Sequence, residues 1–254
     1  MVLATDWVRL LIVCVFFTAA AGAIAWFTGL TTPTPFLKAA VRAVLQLAAV
    51  SAVITLVLTH LGLTALFLVL MAVVATATSA RRTGTGWKGV WVALAILIGT
   101  VPALGLLIGI GLLPVKGIAL IPVGGILIGG AMTATTLSAR RALDSLRDRH
   151  GEYEAALALG FLEPTAVRLV IRRPAAEALL PPLDQTRTVG LVTLPGAFVG
   201  MLLGGAPVWQ AGALQLVVLL ALLAVEVAAV ATVVELVARG LIRRASQARE
   251  VRLT

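Results

Sequence analysis

Long apolar runs separated by short polar breaks dominate the chain. A bilayer crossing by an α-helix needs about 20 mostly apolar residues, and several of the runs reach this length. The longest stretch unable to span, 139–184, holds the densest charge. Short breaks such as 59–62 are expected to be tight turns. The pattern predicts about seven transmembrane helices, at approximately 10–30, 38–60, 62–80, 90–112, 117–138, 185–205 and 210–238.

Composition supports a membrane protein. Of 254 residues, 60% are hydrophobic and 12% are charged, whereas soluble domains carry about 25% charged residues. We therefore expect an all-α polytopic membrane protein, with residues 1–254 forming a single transmembrane domain. The first apolar run is longer than the core of a signal peptide, which holds roughly 7–15 residues. It is expected to be a retained span.

The distribution of basic residues predicts the orientation. The chain carries a net charge of +9, and 18 of its 20 Lys and Arg residues fall on one side of the predicted spans, leaving only Arg9 and Lys116 on the other. An excess of Lys and Arg in short loops marks the cytoplasmic side. The N-terminus is therefore expected outside and the C-terminus in the cytoplasm. Because the basic clusters lie between apolar runs, we expect a lipid bilayer and no nucleic acid as the partner.

The sequence lacks the motifs of common enzymes. It holds two His and one Cys, with no His-Glu-x-x-His pair, no G-x-S-x-G elbow and no phosphate-binding loop. We expect a transport subunit that is not an enzyme and binds no cofactor of its own. If ATP drives the protein, another chain hydrolyses it. The composition, rich in Ala, Leu and Arg, suggests a bacterial inner or plasma membrane.

A short helix is predicted within the charged segment, at about 152–161. Two glutamates lie in its first turn, where the helix dipole favours negative charge, and a glycine follows its end. A small apolar face on an exposed helix suits docking into a groove of a partner. The alternative is an amphipathic helix lying on the membrane surface. Ala155, Ala156 and Leu159 lie on the small apolar face.

This segment, with Glu-Ala-Ala at 154–156 and Gly160, resembles the E-A-A-x-x-x-G coupling motif of ABC transporter permeases. The resemblance implies that the loop inserts into a cleft of a separate ATP-binding subunit. The coupling residues would then be Glu154, Ala155, Ala156, Leu159 and Gly160. Closure of that subunit on ATP would then move the membrane helices.

A longer resemblance covers most of the chain. Residues 155–160, 178–181 and 184–196 look like the FetB-type permease family, the membrane subunits of an iron exporter, similar also to plant aluminium-tolerance permeases. It implies a homodimer with two ATP-binding subunits that exports a metal ion such as iron. The family carries Asn where this chain has Gly130 and Thr133, and Met-Met-Thr where it has 197–199. These departures leave the cargo and its metal ligands open.

Glu226 is the strongest candidate for the transport pathway, because a charged side chain inside a membrane span is costly and usually functional. The alternative is a glutamate that only packs between helices. Glu235 lies four residues before Arg239, a spacing typical of a simple ion pair. The other pathway or gate candidates are Met132, Asp184, Gln185, Thr186, Pro195 and Gly196, and weaker ones are Gln46, Thr133 and Met201.

Two other functions remain open from the sequence. An ATP-independent channel or carrier would associate with no ATPase and tolerate charge reversal in the 152–161 helix. An intramembrane enzyme acting on lipid would need a cluster of acids, bases or metal ligands in the bilayer, and Glu226 has no evident partner in the sequence.

Overall fold

The computed structural model describes residues 7–85 and 89–243. Almost all of these residues are helical, and within the two ranges only an isolated bridge between Val189 and Thr193 has β character. A 3₁₀ turn, Glu177–Leu179, precedes α8. The helices are α1 (Trp7–Phe27), α2 (Thr34–Thr59), α3 (Leu61–Thr83), α4 (Gly89–Gly109), α5 (Gly117–Asp148), α6 (His150–Ala158), α7 (Glu163–Ala176), α8 (Leu180–Thr188), α9 (Gly196–Leu203) and α10 (Val208–Ala238).

Six helices in the described part of the chain are long and apolar enough to cross a membrane: α1 to α5 and α10. The prediction of an all-α polytopic membrane protein is confirmed. The tight turn predicted near 59–62 is also present, because α2 ends at Thr59 and α3 begins at Leu61.

The prediction of one continuous helix over 185–205 is wrong. This segment consists of the end of α8 and the whole of α9, separated by a non-helical stretch at 189–195. Gly190 adopts a left-handed conformation with φ +84°, which favours glycine. Pro195 caps α9 in an extended conformation and lacks the N–H that a continuous helix would use. Since the break residues are mostly apolar, hydropathy alone did not reveal it.

The fifth helix is longer than predicted. The predicted span ended at residue 138, whereas α5 continues to Asp148 and has 32 residues. At 1.5 Å per residue it is about 48 Å long, well beyond a hydrocarbon core of about 30 Å. Its C-terminal part therefore extends out of the bilayer and leads directly into α6 and α7.

The hydrophobic core lies around α5 and α10, which pack against each other and against α3, α4 and α7. Leu127 and Ala131 of α5 are fully buried. The close packing of α4 on α10 requires glycine at position 99, because an added Cβ there would lie 3.0 Å from the Cα of Val225. Small residues let helix backbones approach closely in lipid. The core thus fixes α10 against α4 and α5.

The chain separates into two compact units, Met1–Val57 and Leu58–Thr254. In the first unit, the turn after α1 returns close to that helix, since an added Cβ on Gly22 would lie 3.2 Å from the Cβ of Pro33. Most side chains of α1 and α2 are exposed, as expected for helices that face lipid. The second unit contains all the residues of the candidate site.

Candidate functional site

A cavity of about 280 Å³ lies between α5, α8 and α10. It brings together Gln185 of α8 and Glu226 of α10, two predicted pathway residues, with Thr133 of α5, a weaker candidate. We call it the Glu226 cavity. Its other lining residues are Ile126, Gly129, Gly130, Ala134, Leu137, Ala178, Pro181, Pro182 and Leu222.

Glu226 is only 6% exposed, and its Oε2 atom has no hydrogen-bond partner among the described residues. Gly130 on the facing helix leaves the space that the carboxyl group occupies. A Cβ added there would lie 2.8 Å from Oε1 of Glu226 and 2.3 Å from Cδ1 of Leu222. The absence of a side chain at Gly130 therefore allows the Glu226 carboxyl to sit against α5.

The remaining candidates on α8 lie beside the cavity. Asp184 is exposed and forms an ion pair with Arg187 at 3.7 Å. Thr186 donates a hydrogen bond through Oγ1 to the carbonyl oxygen of Pro182, at 2.8 Å. Met132 of α5 is half-buried, packs against the hydrophobic core and does not line the Glu226 cavity. Neither Asp184 nor Thr186 lines the cavity, whereas Pro182, the acceptor of the Thr186 hydrogen bond, does.

A second cavity, of about 180 Å³, lies where the helix is interrupted. Pro195 lines it, together with Val189, Gly190 and residues of α10, whereas Gly196 does not. One of these α10 residues is Gln215, which is 6% exposed with an Oε1 atom that has no partner in the described chain. Reasoning from the sequence missed Gln215 because it considered only charged residues in α10. Its position 11 residues before Glu226, close to three helical turns, is a signal that could have found it.

The short helix predicted at about 152–161 is present as α6, His150–Ala158, and is largely exposed. The side chain of Glu154 is 67% exposed, Leu159 is 79% exposed and Ala156 is buried. Gly160 has φ +86°, a left-handed conformation that ends the helix at little cost only for glycine. Ala156 therefore anchors the helix, whereas Glu154 and Leu159 are available for contact with a partner.

An arginine fixes the start of α6 to α7. Arg149 donates through Nε to Oε1 of Glu152 at 2.7 Å, and through Nη1 to the carbonyl oxygen of Val170 at 3.3 Å. The hydrogen bond from Arg149 holds the pKa of Glu152 below its usual value. Glu152 is consequently ionised at neutral pH. Its negative charge lies at the positive N-terminal end of the α6 dipole, which stabilises the helix.

Helix α7 in turn connects to α10. Arg168 donates through Nε to Oε2 of Glu235 at 3.0 Å and through Nη2 to Oε1 at 3.2 Å. Arg239 also pairs with Glu235, as the four-residue spacing predicted. The sequence did not predict Arg168 as a third member, because it lies 67 residues away. The exposed α6 is thus joined through α7 to the helix that carries Glu226.

Within the described residues, no three or more His, Cys, Asp or Glu side chains form a group that could hold a metal ion. The polar side chains lining the Glu226 cavity are those of Thr133, Gln185 and Glu226. They offer hydroxyl, amide and carboxylate oxygens.

Residues 7–242 match the model of a family described as "Uncharacterised protein family (UPF0014)". The chain belongs to this family. As a UPF0014 member it is 34% identical over 186 residues to "UPF0014 membrane protein STAR2" from Oryza sativa subsp. japonica, covering 72% of this chain and 65% of the rice protein. It is 37% identical over 150 residues to "Protein ALUMINUM SENSITIVE 3" from Arabidopsis thaliana, covering 59% of this chain and 55% of that protein.

A bacterial relative carries a transport name. The chain is 31% identical over 112 residues to "Probable iron export permease protein FetB" from Escherichia coli (strain K12), covering 44% of this chain and 43% of that protein. The UPF0014 chain is a multi-pass membrane protein whose relatives include a permease, in agreement with the family resemblance seen in the sequence. Its relatives come from plants and bacteria, so a bacterial source stays a prediction. No solved structure matches the chain.

Proposed function

We propose that this chain is the membrane subunit of an ABC transporter and that it exports a metal cation, driven by a separate ATP-binding subunit. The observation that carries the proposal is the exposed α6 with its Glu-Ala-Ala and Gly160 motif, connected through α7 to the helices around the Glu226 cavity. An ATP-independent channel would have no use for this arrangement.

Docking would use the exposed face of α6 and the residues that follow it. Leu159 and Leu162 are 79% and 77% exposed, and both precede α7, outside the six candidate spans. Exposed apolar side chains rimmed by charge are typical of protein interaction sites. A partner that binds here and closes on ATP would displace α6 and α7 together, because Arg149 ties them to each other.

The cargo would meet oxygen ligands. Carboxylate, amide and hydroxyl oxygens suit hard cations, and Glu226 supplies the negative charge that a cation needs inside a membrane. The printed name of the FetB relative includes iron export, which supports iron as the first cargo to test. A homodimer would bring two Glu226 side chains into one assembly.

The first test is purification of the tagged chain from its native membrane in mild detergent. We expect a nucleotide-binding ATPase to co-purify with the wild type and to be lost from Gly160→Asp and Glu154→Arg variants. Gly151→Asp is the matched control, because an added Cβ at Gly151 contacts nothing within 4 Å and an acidic residue suits the first turn of a helix. Recovery of folded chain without an ATPase would overturn the ABC proposal.

The second test addresses the cargo. In vesicles holding the complex, ATP-dependent movement of Fe²⁺ should fall at least about tenfold in Glu226→Gln, because loss of a buried ligand charge costs well over 1.4 kcal/mol. Export that is unchanged in a well-folded Glu226→Gln variant would remove Glu226 from the pathway.

A further inference from the structure

An open groove of about 460 Å³ runs between α4 and α10, two helices that are candidate membrane spans. We call it the α4–α10 groove. Among the described residues it shares no lining residue with the Glu226 cavity. Its lining residues are Trp91, Leu94, Ile98, Ala231, Thr232, Glu235, Leu236, Arg239 and Leu241.

The deeper wall of the α4–α10 groove is apolar. Trp91, Leu94 and Ile98 follow one another at spacings of three and four residues, which places them on one face of α4, and they are 36% to 47% exposed. They cover seven residues, or about 10 Å along the helix axis. On the α10 side, the Thr232 hydroxyl donates to the carbonyl oxygen of Ala228 at 2.7 Å and is satisfied within its own helix. This wall suits a hydrocarbon chain.

One end of the groove carries an excess of positive charge. Glu235 and Arg239 lie there, where α10 ends, opposite Trp91 in the first turn of α4. Arg168 of α7 donates to both carboxylate oxygens of Glu235, and Arg239 donates to one of them through Nε. Two guanidinium groups therefore share one carboxylate. The Arg239 side chain is 64% exposed, and among the described residues its Nη1 and Nη2 atoms have no hydrogen-bond partner. An anion with free oxygens can accept from them.

We propose that the α4–α10 groove binds an anionic phospholipid. Its phosphate would accept hydrogen bonds from the Nη atoms of Arg239, and one acyl chain would lie along the apolar wall. Trp91 would lie between headgroup and chain, the level at which tryptophan is enriched in membrane proteins. Basic pockets between membrane helices bind anionic headgroups. A zwitterionic headgroup would bring its own positive charge close to two arginines, so a headgroup of net negative charge fits better. The inference lies outside the proposed transport pathway and does not depend on the proposed function.

The test uses the full chain in phosphatidylcholine vesicles that contain a small fraction of lipid with brominated acyl chains, since bromine quenches tryptophan fluorescence on contact. We expect brominated phosphatidylglycerol to quench more strongly than the same fraction of brominated phosphatidylcholine. Trp91→Phe should lose this excess quenching. Trp209→Phe is the matched control and should keep it, because Trp209 is 72% exposed near the opposite end of α10.

Two further variants separate the headgroup from the acyl chain. Arg239→Gln should lower the preference for phosphatidylglycerol about fivefold, the effect of one basic residue at an anionic lipid surface. Its control, Arg172→Gln, makes the same change at an exposed position of α7. Ala231→Phe should also lower the preference, because the ring fills the groove and leaves the charges in place. Its control is Ala213→Phe, at an exposed position of α10 outside the groove. Both controls should match wild type.

Equal quenching by the two brominated lipids, or an excess that Trp91→Phe retains, would overturn the proposal. If Arg239→Gln loses the preference and Ala231→Phe keeps it, surface charge alone attracts the lipid and the groove is not the site. An excess of inorganic phosphate should leave the quenching unchanged, and its loss would show that the site takes a free anion instead of a lipid. Thermal unfolding in detergent gives a second measurement, because a ligand stabilises the state that binds it. Phosphatidylglycerol should raise the unfolding temperature of wild type more than that of Arg239→Gln, and equal shifts would contradict the role of Arg239.

Discussion

Gly130 and Glu226 face each other across the contact between α5 and α10, and each depends on the other. An alanine at 130 would place its Cβ 2.8 Å from Oε1 of Glu226 and 2.3 Å from Cδ1 of Leu222, well inside van der Waals contact. Both atoms lie at the ends of side chains, so they can move, but Leu222 is only 7% exposed and has little free volume. Because Gly130 has no side chain, the carboxyl group of Glu226 can occupy this part of the cavity.

We predict that Gly130→Ala lowers stability and impairs export. Overpacking a tight core costs about 1–3 kcal/mol, while alanine gains up to about 1 kcal/mol over glycine in a helix. Gly129→Ala is the control, because its added Cβ meets nothing within 4 Å and it should be neutral or stabilising. The measurements are thermal unfolding in detergent and export of Fe²⁺. Equal unfolding temperatures for the two variants would contradict the packing argument.

At the residue scale, the sequence identified Glu226 and, as further candidates, Gln185 and Thr133, which line the same cavity. Glu226 was predictable because a carboxylate in a long apolar run is costly. Its contact with Gly130 was not predictable, since 96 residues separate them and only the packing of α5 on α10 determines the pairing. Met132 was also predicted to line the pathway; it packs against the hydrophobic core and does not line the Glu226 cavity, and its role in the pathway stays a prediction.

At the scale of elements, the break between α8 and α9 shows a feature that hydropathy does not predict. An apolar run predicts burial in lipid or protein without deciding whether the backbone is helical. Gly190 and Pro195 were both visible in the sequence as breaking residues, yet only the structure establishes that they end one helix and start another. Residues of α10 line the cavity beside this break, whereas Leu191 and Val192 within it are 93% and 77% exposed.

The connection between α7 and α10 gives a prediction at this scale. Arg168 and Glu235 form a two-pronged pair, but their side chains are 40% and 36% exposed, so the pair contributes at most about 1 kcal/mol to stability. The geometry of the pair matters more than this energy. A lysine at 168 would keep the positive charge but could not form the two parallel hydrogen bonds that the arginine makes. We expect Arg168→Lys to unfold near the wild-type temperature while metal exported per ATP hydrolysed falls severalfold.

Arg172→Ala is the matched control for that experiment. Arg172 lies one turn further along α7, is exposed and has no ion pair among the described residues. It should leave both the unfolding temperature and the ratio of export to hydrolysis unchanged. If Arg168→Lys loses stability and activity in parallel, the pair is structural, and it does not transmit motion from α6.

At the scale of the whole molecule, the apolar runs predicted the membrane class and most helix boundaries to within a few residues. The sequence did not predict the number of continuous crossings correctly. It indicated about seven, whereas the described residues contain six long helices and an interrupted segment. The charged segment after α5 was predicted as a loop with one short helix. It instead contains the end of α5, all of α6 and all of α7, because the buried side chains of α7 pack on α5 and α10.

The orientation of the molecule is the prediction that connects these scales, because the proposed ATPase can reach α6 only from the cytoplasm. The charge bias of 18 basic residues against two predicts that α6 lies inside and that the turn between α2 and α3 lies outside. The test uses single cysteines in a Cys14→Ser background, which removes the one native thiol. In intact cells a membrane-impermeant maleimide should label His60→Cys and spare Glu154→Cys, since both side chains are exposed and differ only in side. Permeabilised cells should label both. The reverse pattern would place α6 outside, where no ATP-binding subunit could dock, and would exclude the ABC mechanism even if an ATPase co-purified.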